Sequence, residues 1–255
     1  MLKKIIENKR KEIEVRKKEF PLNRFKNKLN NSTKDFKKAI SKNKLNLIAE
    51  FKRASPSKNI TGKELDIKKI IEIYNRYADA ISILTDKKFF NGSLIDMKDA
   101  GKLTNLPLLR KDFIIDEYQI YESRFYDADA ILLIASILSK EQIFNFINIA
   151  KEHDMDCIVE IHNKKELEKI SNIANIEIIG INNRDLKTLK INMNTTLRLA
   201  DKIQKNKIII SESGISSKDY IKKIVGRVNA VLIGSLFMNS ERLEELEEEI
   251  ISIIK

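Results

Sequence analysis

Tryptophan is absent from the 255 residues, and the chain holds one cysteine, two histidines, three prolines and seven glycines. A single cysteine, Cys157, excludes an internal disulfide and fits a reducing cytoplasm. No Cys/His set has metal-ligand spacing. So few Gly and Pro exclude low-complexity linkers, and no G-x-G-x-x-G, P-loop or G-x-S-x-G motif occurs. No apolar run is long enough to span a bilayer. The opening residues, Met1-Leu2-Lys3-Lys4-Ile5-Ile6-Glu7, are charged where a signal peptide needs an apolar block. A soluble cytoplasmic protein without a membrane partner is therefore expected.

Charge is plentiful. Charged residues make up 33% of the chain and hydrophobic ones 42%, the balance of a globular protein, and the net charge is +11. The lysines are spread among glutamates and form no dense basic tract interleaved with aromatics, so no nucleic-acid partner is expected. The excess still favours a small anionic substrate through field steering.

Residues 1–20 read as a charged surface helix with sparse apolar positions, stopped at Phe20-Pro21. A looser stretch and a short helix at Phe36–Ile40 complete an N-terminal helical extension, 1–45. Eight β-branched runs follow: Leu45–Phe51, Ala80–Thr85, Leu106–Leu109, Ala130–Ile134, Cys157–Ile161, Ile176–Ile181, Lys207–Ser211 and Ala230–Ile233. Helical patterns separate them, and Glu241–Lys255 forms the last. Continuous apolar strands alternating with helices indicate parallel pairing covered on both faces. Eight units predict a closed (β/α)8 TIM barrel over 46–255, one domain with the extension. An open doubly wound sheet is the competing fold, but it would usually have fewer strands and a Gly-rich first turn.

In such barrels the working groups lie at the C-terminal strand ends. In Leu47–Ser57 a buried strand places Glu50 and Lys52 two apart, in phase with Ile48. Ionised groups facing a core are costly unless paired or functional. Lys111 shares a face with Leu109, Glu160 with Ile158, Asn182 with Gly180, and Glu212 with Ile210. Lysines, glutamates and an amide around one mouth suit acid–base chemistry on a polar substrate; a closing ring of salt bridges is the bland alternative. Ser213-Gly214 and Gly234-Ser235 fall after the seventh and eighth strands, the recurrent phosphate site of this fold. His162 shares Glu160's face and is a weaker pocket candidate. His153 sits near a helix C-terminus, where a cation is favourable, and Cys157 reads as core.

These motifs resemble indole-3-glycerol-phosphate synthase over nearly the whole chain. They are Ile48-Ala49-Glu50-Phe51-Lys52-Arg53-Ala54-Ser55-Pro56-Ser57, Leu84-Thr85 with Phe89-Phe90-Asn91-Gly92-Ser93, Leu109-Arg110-Lys111-Asp112-Phe113, Val159-Glu160-Ile161, Gly180-Ile181-Asn182-Asn183-Arg184-Asp185-Leu186, Ser211-Glu212-Ser213-Gly214-Ile215, and Leu232-Ile233-Gly234-Ser235. The resemblance implies closure of 1-(2-carboxyphenylamino)-1-deoxyribulose 5-phosphate to indole-3-glycerol phosphate, with loss of CO₂ and water and without cofactor or metal. It makes Lys111 the general acid and Glu160 the base, with Lys52 and Glu50 assisting. Asn182, Glu212 and Ser213 match positions that hold polyol or phosphate, and Arg184 an anion-binding arginine. Phe90, Phe113 and Leu132 would pack on the aromatic ring, and Ser57, Gly214, Gly234 and Ser235 complete the substrate contacts. Lys58-Asn59 stands where the family often has Gly, and His162 where it often has Asn.

The competing functions are a phosphoribosylanthranilate isomerase-like barrel, a Schiff-base aldolase using Lys111, and a basic nucleic-acid-binding protein. The isomerase needs a Cys base at a strand end, whereas Cys157 begins its strand. A monomer or weak homodimer, unfused to a neighbouring activity, is expected.

Overall fold

The computed structural model describes residues 1–54, 66–237 and 243–254. Eight parallel strands close a barrel in chain order: β1 (Asn46–Phe51), β2 (Ala80–Leu84), β3 (Leu108–Lys111), β4 (Ala130–Ile134), β5 (Asp156–Ile161), β6 (Ile178–Asn182), β7 (Ile208–Glu212) and β8 (Ala230–Ile233). Closure is direct: β8 pairs with β1, Ile48 opposite Leu232. That pairing rules out the open sheet. Alternate side chains build two cores. Leu47, Ala49 and Phe51 face the outer helices, while Ile48, Leu109, Leu132, Ile158, Ile210 and Leu232 fill the barrel. Burial on both faces is why the strands read as unbroken apolar runs.

The extension comprises α1 (Leu2–Glu19), two short 3-10 turns and α2 (Phe36–Ala39). Around the barrel run α3 (Ile67–Tyr77), α4 (Lys87–Phe90), α5 (Leu94–Leu103), α6 (Glu117–Phe125), α7 (Lys140–Lys151), α8 (Lys164–Ile170), α9 (Asn194–Ala200), α10 (Lys218–Ile224) and α11 (Leu243–Ile254). Side-chain caps set several starts: Asp116 with Gln119 and Ser139 with Gln142 form capping boxes on α6 and α7. No helix among the described residues is long and apolar enough to cross a membrane.

The structure corrects three expectations. Strands β3, β6 and β7 run one or two residues further than the apolar pattern, so Lys111, Asn182 and Glu212 belong to the barrel itself. Polar side chains continue the alternation there because each finds a partner inside. Helices α8 and α9 stop at Ile170 and Ala200, short of the expected Asn172 and Gln204.

The third concerns α1, which is more than a surface helix. Ile5, Lys9 and Ile13 share one face at a spacing of four and are all buried. The Lys9 ammonium lies 2.9 Å from both Asp86, after β2, and Asp112, after β3. Asp112 also takes Arg110, which points outward from β3 into Glu122 and Ser123 of α6. A wholly buried row of alternating charges thus pins the extension across two strand ends. At the far end of α1, Phe20 stacks on Phe25 with centroids 4.8 Å apart, and Tyr118 donates to the Phe20 carbonyl.

Candidate active site

At the C-terminal end of the barrel the inward positions change from apolar to charged. Glu50, Lys111, Glu160, Asn182 and Glu212 sit one pleat above Ile48, Leu109, Ile158, Gly180 and Ile210. Lys52 is one residue past β1. The Lys52 ammonium donates to Glu50 (2.9 Å) and to the Ser235 hydroxyl (2.8 Å). The second Glu50 oxygen is 3.3 Å from Lys111, which donates to Glu212 at 2.8 Å. Glu160 accepts from Asn182 at 3.1 Å and lies 3.2 Å from His162.

Burial and charge compete at each group. Burial would raise the Glu50 carboxyl, but Lys52 and Lys111 overcome it and hold the group down to about 2. Burial would lower Lys111, but Glu212, Glu50 and Glu160 hold it well above the usual lysine range, so it stays charged. Glu212 is raised, first by burial and then by Glu160 and Glu50, against the pull of Lys111. Its Oε1 is buried and accepts no hydrogen bond among the described residues.

Two glycines make room for these carboxylates. A Cβ at Gly180 would stand 2.2 Å from Glu212 Oε1, and one at Gly234 2.3 Å from Glu50 Oε1. The sequence signal for Gly180 is its place inside a strand, where a glycine marks close approach. Gly234, read as part of a phosphate cradle, first gives space to Glu50.

A cavity of about 370 Å³ opens over this floor. One side is apolar: Leu84, Phe90, Phe113, Leu132 and Ile134, with Met1, Leu2 and Ile5 of the extension above. The Phe90 and Phe113 rings are 6.2 Å apart and tilted. The other side carries Asn182, Arg184, Ser213, Gly214, Gly234 and Ser235 among apolar residues such as Leu186, Ile215 and Leu236. Ser213 and Gly214 both take positive φ, turning the chain sharply at the end of β7. The loop after β6 folds back through a bridge between Arg184 and Ile191. There the half-buried Arg184 guanidinium donates to the Leu189 carbonyl at 3.1 Å. Among the described residues it meets no carboxylate at ion-pair distance, unlike Lys52 and Lys111.

Fourteen of the sixteen sequence candidates therefore meet at one mouth; His162 stands beside Glu160 without lining the cavity, and Ser57 lies outside the described residues, as do Lys58 and Asn59. Met1, Leu2, Ile5, Leu189 and Ile191 also wall the cavity and were not foreseen. Cys157 sits at the opposite end of β5, half-buried beside Ile131. His153 is not the favoured cation expected: burial lowers its pKa, and its ring packs edge-on against Tyr121.

The family model for indole-3-glycerol phosphate synthase matches residues 2–250. The chain belongs to that family. Relatives within it include the indole-3-glycerol phosphate synthase of Caldanaerobacter subterraneus subsp. tengcongensis, 44% identical over 98% of each chain. The tryptophan biosynthesis protein TrpCF of Buchnera aphidicola subsp. Baizongia pistaciae is 45% identical over 96% of this chain and 52% of that protein. Among solved structures, tryptophan synthase subunit alpha from Legionella pneumophila superposes with a TM-score of 0.62 at 13% identity, covering 87% of this chain and 97% of that one. The 3-hexulose-6-phosphate synthase of Salmonella typhimurium gives 0.61 at 12%, covering 82% of this chain and 100% of that one. At such identities the likeness is one of fold. An indole-3-glycerol phosphate synthase family member thus carries a mouth with paired lysines and glutamates on its floor.

Proposed function

We propose that this mouth closes the ring of 1-(2-carboxyphenylamino)-1-deoxyribulose 5-phosphate, releasing CO₂ and water to form indole-3-glycerol phosphate. Beyond family membership, one observation carries the reading: Lys111 is held charged between Glu50 and Glu212, on the floor of a largely apolar cavity whose hydroxyls and arginine gather after β6–β8. The substrate has that same division, an aromatic ring at one end and a phosphate at the other.

In the proposed pose the ring packs against Phe90, Phe113 and Leu132. The phosphate reaches Arg184 and the turns at Ser213-Gly214 and Gly234-Ser235, where backbone N–H groups and a guanidinium that meets no carboxylate among the described residues suit an anion. The ring carbon bearing the carboxylate attacks the ketone, whose oxygen becomes an alkoxide. An alkoxide is basic enough to take a proton even from a strongly held ammonium, and Lys111 supplies it. Loss of CO₂ restores the aromatic ring. Departure of the hydroxyl as water then needs a second protonation and removal of a carbon-bound proton. Glu160 takes that proton, with Lys52 and Glu50 assisting. Asn182 orients Glu160, and Glu212 holds Lys111 in place.

The proposed protein is one (β/α)8 domain, a cytoplasmic monomer or weak homodimer with a small phosphorylated substrate and no nucleic-acid partner. A Schiff-base aldolase would need a neutral Lys111, and the surrounding carboxylates oppose that. An isomerase using Cys157 would need the thiol at the other end of the barrel.

Turnover tests the reading, with product followed by indole fluorescence. Glu160→Gln is expected to lower kcat by about 10²–10³-fold with little change in KM. An unchanged rate would remove Glu160 from the mechanism. Borohydride inactivation in the presence of substrate would point instead to an imine.

A further inference from the structure

Glu160 differs from the other two carboxylates of the floor in what neutralises it. Glu50 touches both lysines, and Glu212 touches Lys111. Glu160 touches neither; among the described residues its one ion-pair contact is His162, at 3.2 Å from Nε2. The two groups face each other at ion-pair distance, and Nε2 has no other partner among the described residues. His162 does not wall the cavity, whereas Glu160 does.

The other imidazole nitrogen is held firmly. Nδ1 lies 3.0 Å from Glu166, in the first turn of α8. The same Glu166 oxygen accepts the His162 backbone N–H at 2.8 Å, and its partner oxygen accepts from Asn163, the N-cap of α8. Glu166 is therefore fixed before it meets the ring, and the imidazole is fixed by Glu166. The sequence from helix to cavity is carboxylate, imidazole, carboxylate.

We propose that His162, clamped by Glu166, is a positioning residue for Glu160: as an imidazolium it keeps that carboxylate ionised and its free edge toward the cavity. The proposal rests on the reading of Glu160 as the base. The charged groups facing the pair are Glu160 itself on β5, Glu166 on α8, Asp185 beyond β6 and, across Glu160, Lys111 on β3. Burial would lower the imidazole, but Glu160 and Glu166 overcome it and raise it to about 10. Burial would raise Glu160, but His162 and then Lys111 bring it down. A base that begins each cycle ionised needs such a partner, because a buried carboxylate without a cation takes up a proton instead.

The chain has two histidines, which makes the test clean. Histidine side-chain NMR of the full-length protein, with His153→Asn for assignment, should show His162 still protonated at about pH 8–9. Glu166→Gln should lower its midpoint by about one unit or more. In kinetics, His162→Asn should move the acid limb of kcat/KM upward by about one unit, lowering the rate by up to about tenfold on that limb and little near neutral pH. Raising the pH should restore it, as no folding defect would allow. Titration of His162 near its ordinary value, or an unmoved limb in folded His162→Asn, would overturn the proposal. The NMR result stands without turnover: a wild type that makes no product leaves the clamp measurable and refutes the assigned reaction. If His162→Asn fails to fold, the wild-type and Glu166→Gln titrations still decide.

Discussion

Lys111→Ala is expected to lower kcat by about 10²–10⁴-fold while the protein stays folded. The loss comes from the step in which negative charge appears on the ketone oxygen. Lys52 does not replace Lys111, because its contacts with Glu50 and Ser235 keep it at the ends of β1 and β8, away from the place Lys111 leaves on β3. The fold survives because the carboxylates can adjust: Glu50 keeps Lys52, and Glu212, already raised, takes up a proton rather than remain buried as an uncompensated charge. Lys111→Arg separates charge from acidity. A guanidinium supplies the charge but does not surrender its proton, so the Arg variant should remain at least about 10²-fold slow. Steady-state kcat and KM for both variants decide this, with circular dichroism as the folding control. Rates within about threefold of wild type for either variant would remove Lys111 as the acid.

The second large effect lies outside the cavity. Lys9→Met should destabilise the protein by about 3–5 kcal/mol, the usual cost of breaking a buried ion pair from one side. Methionine fills the space of the lysine stem but leaves Asp86 without its ion-pair partner, whereas Asp112 keeps Arg110. Lys9→Met combined with Asp86→Asn should recover a good part of that loss, because the second change removes the uncompensated charge. Urea unfolding midpoints measure both. Because α1 also roofs the cavity through Met1, Leu2 and Ile5, KM should rise in the single variant before global unfolding is reached. A loss under about 1 kcal/mol would show that Lys9 does not anchor the extension.

How much of this was legible in the sequence follows from where each signal sits. Glu50, Lys111, Glu160, Asn182 and Glu212 were readable because each continues the two-residue period of its own apolar strand, and every strand of the closed barrel points its last inward residue at the same mouth. Lys9 was not. On a helix rich in lysine and glutamate it looks solvated, and its partners Asp86 and Asp112 lie far along the chain, so only the Ile5 and Ile13 spacing hinted at a buried face. His162 was in phase with Glu160, but the carboxylate behind it comes from the start of α8, which strand periodicity does not report. The polar residues that end β3, β6 and β7 look in sequence like exits from the barrel, yet they form its uppermost layer.

The central claim is tested most directly by giving the purified wild-type protein 1-(2-carboxyphenylamino)-1-deoxyribulose 5-phosphate and measuring CO₂ and indole product together. The account predicts one CO₂ released for each indole-3-glycerol phosphate formed. Absence of the indole product, or CO₂ release without ring closure, would contradict it.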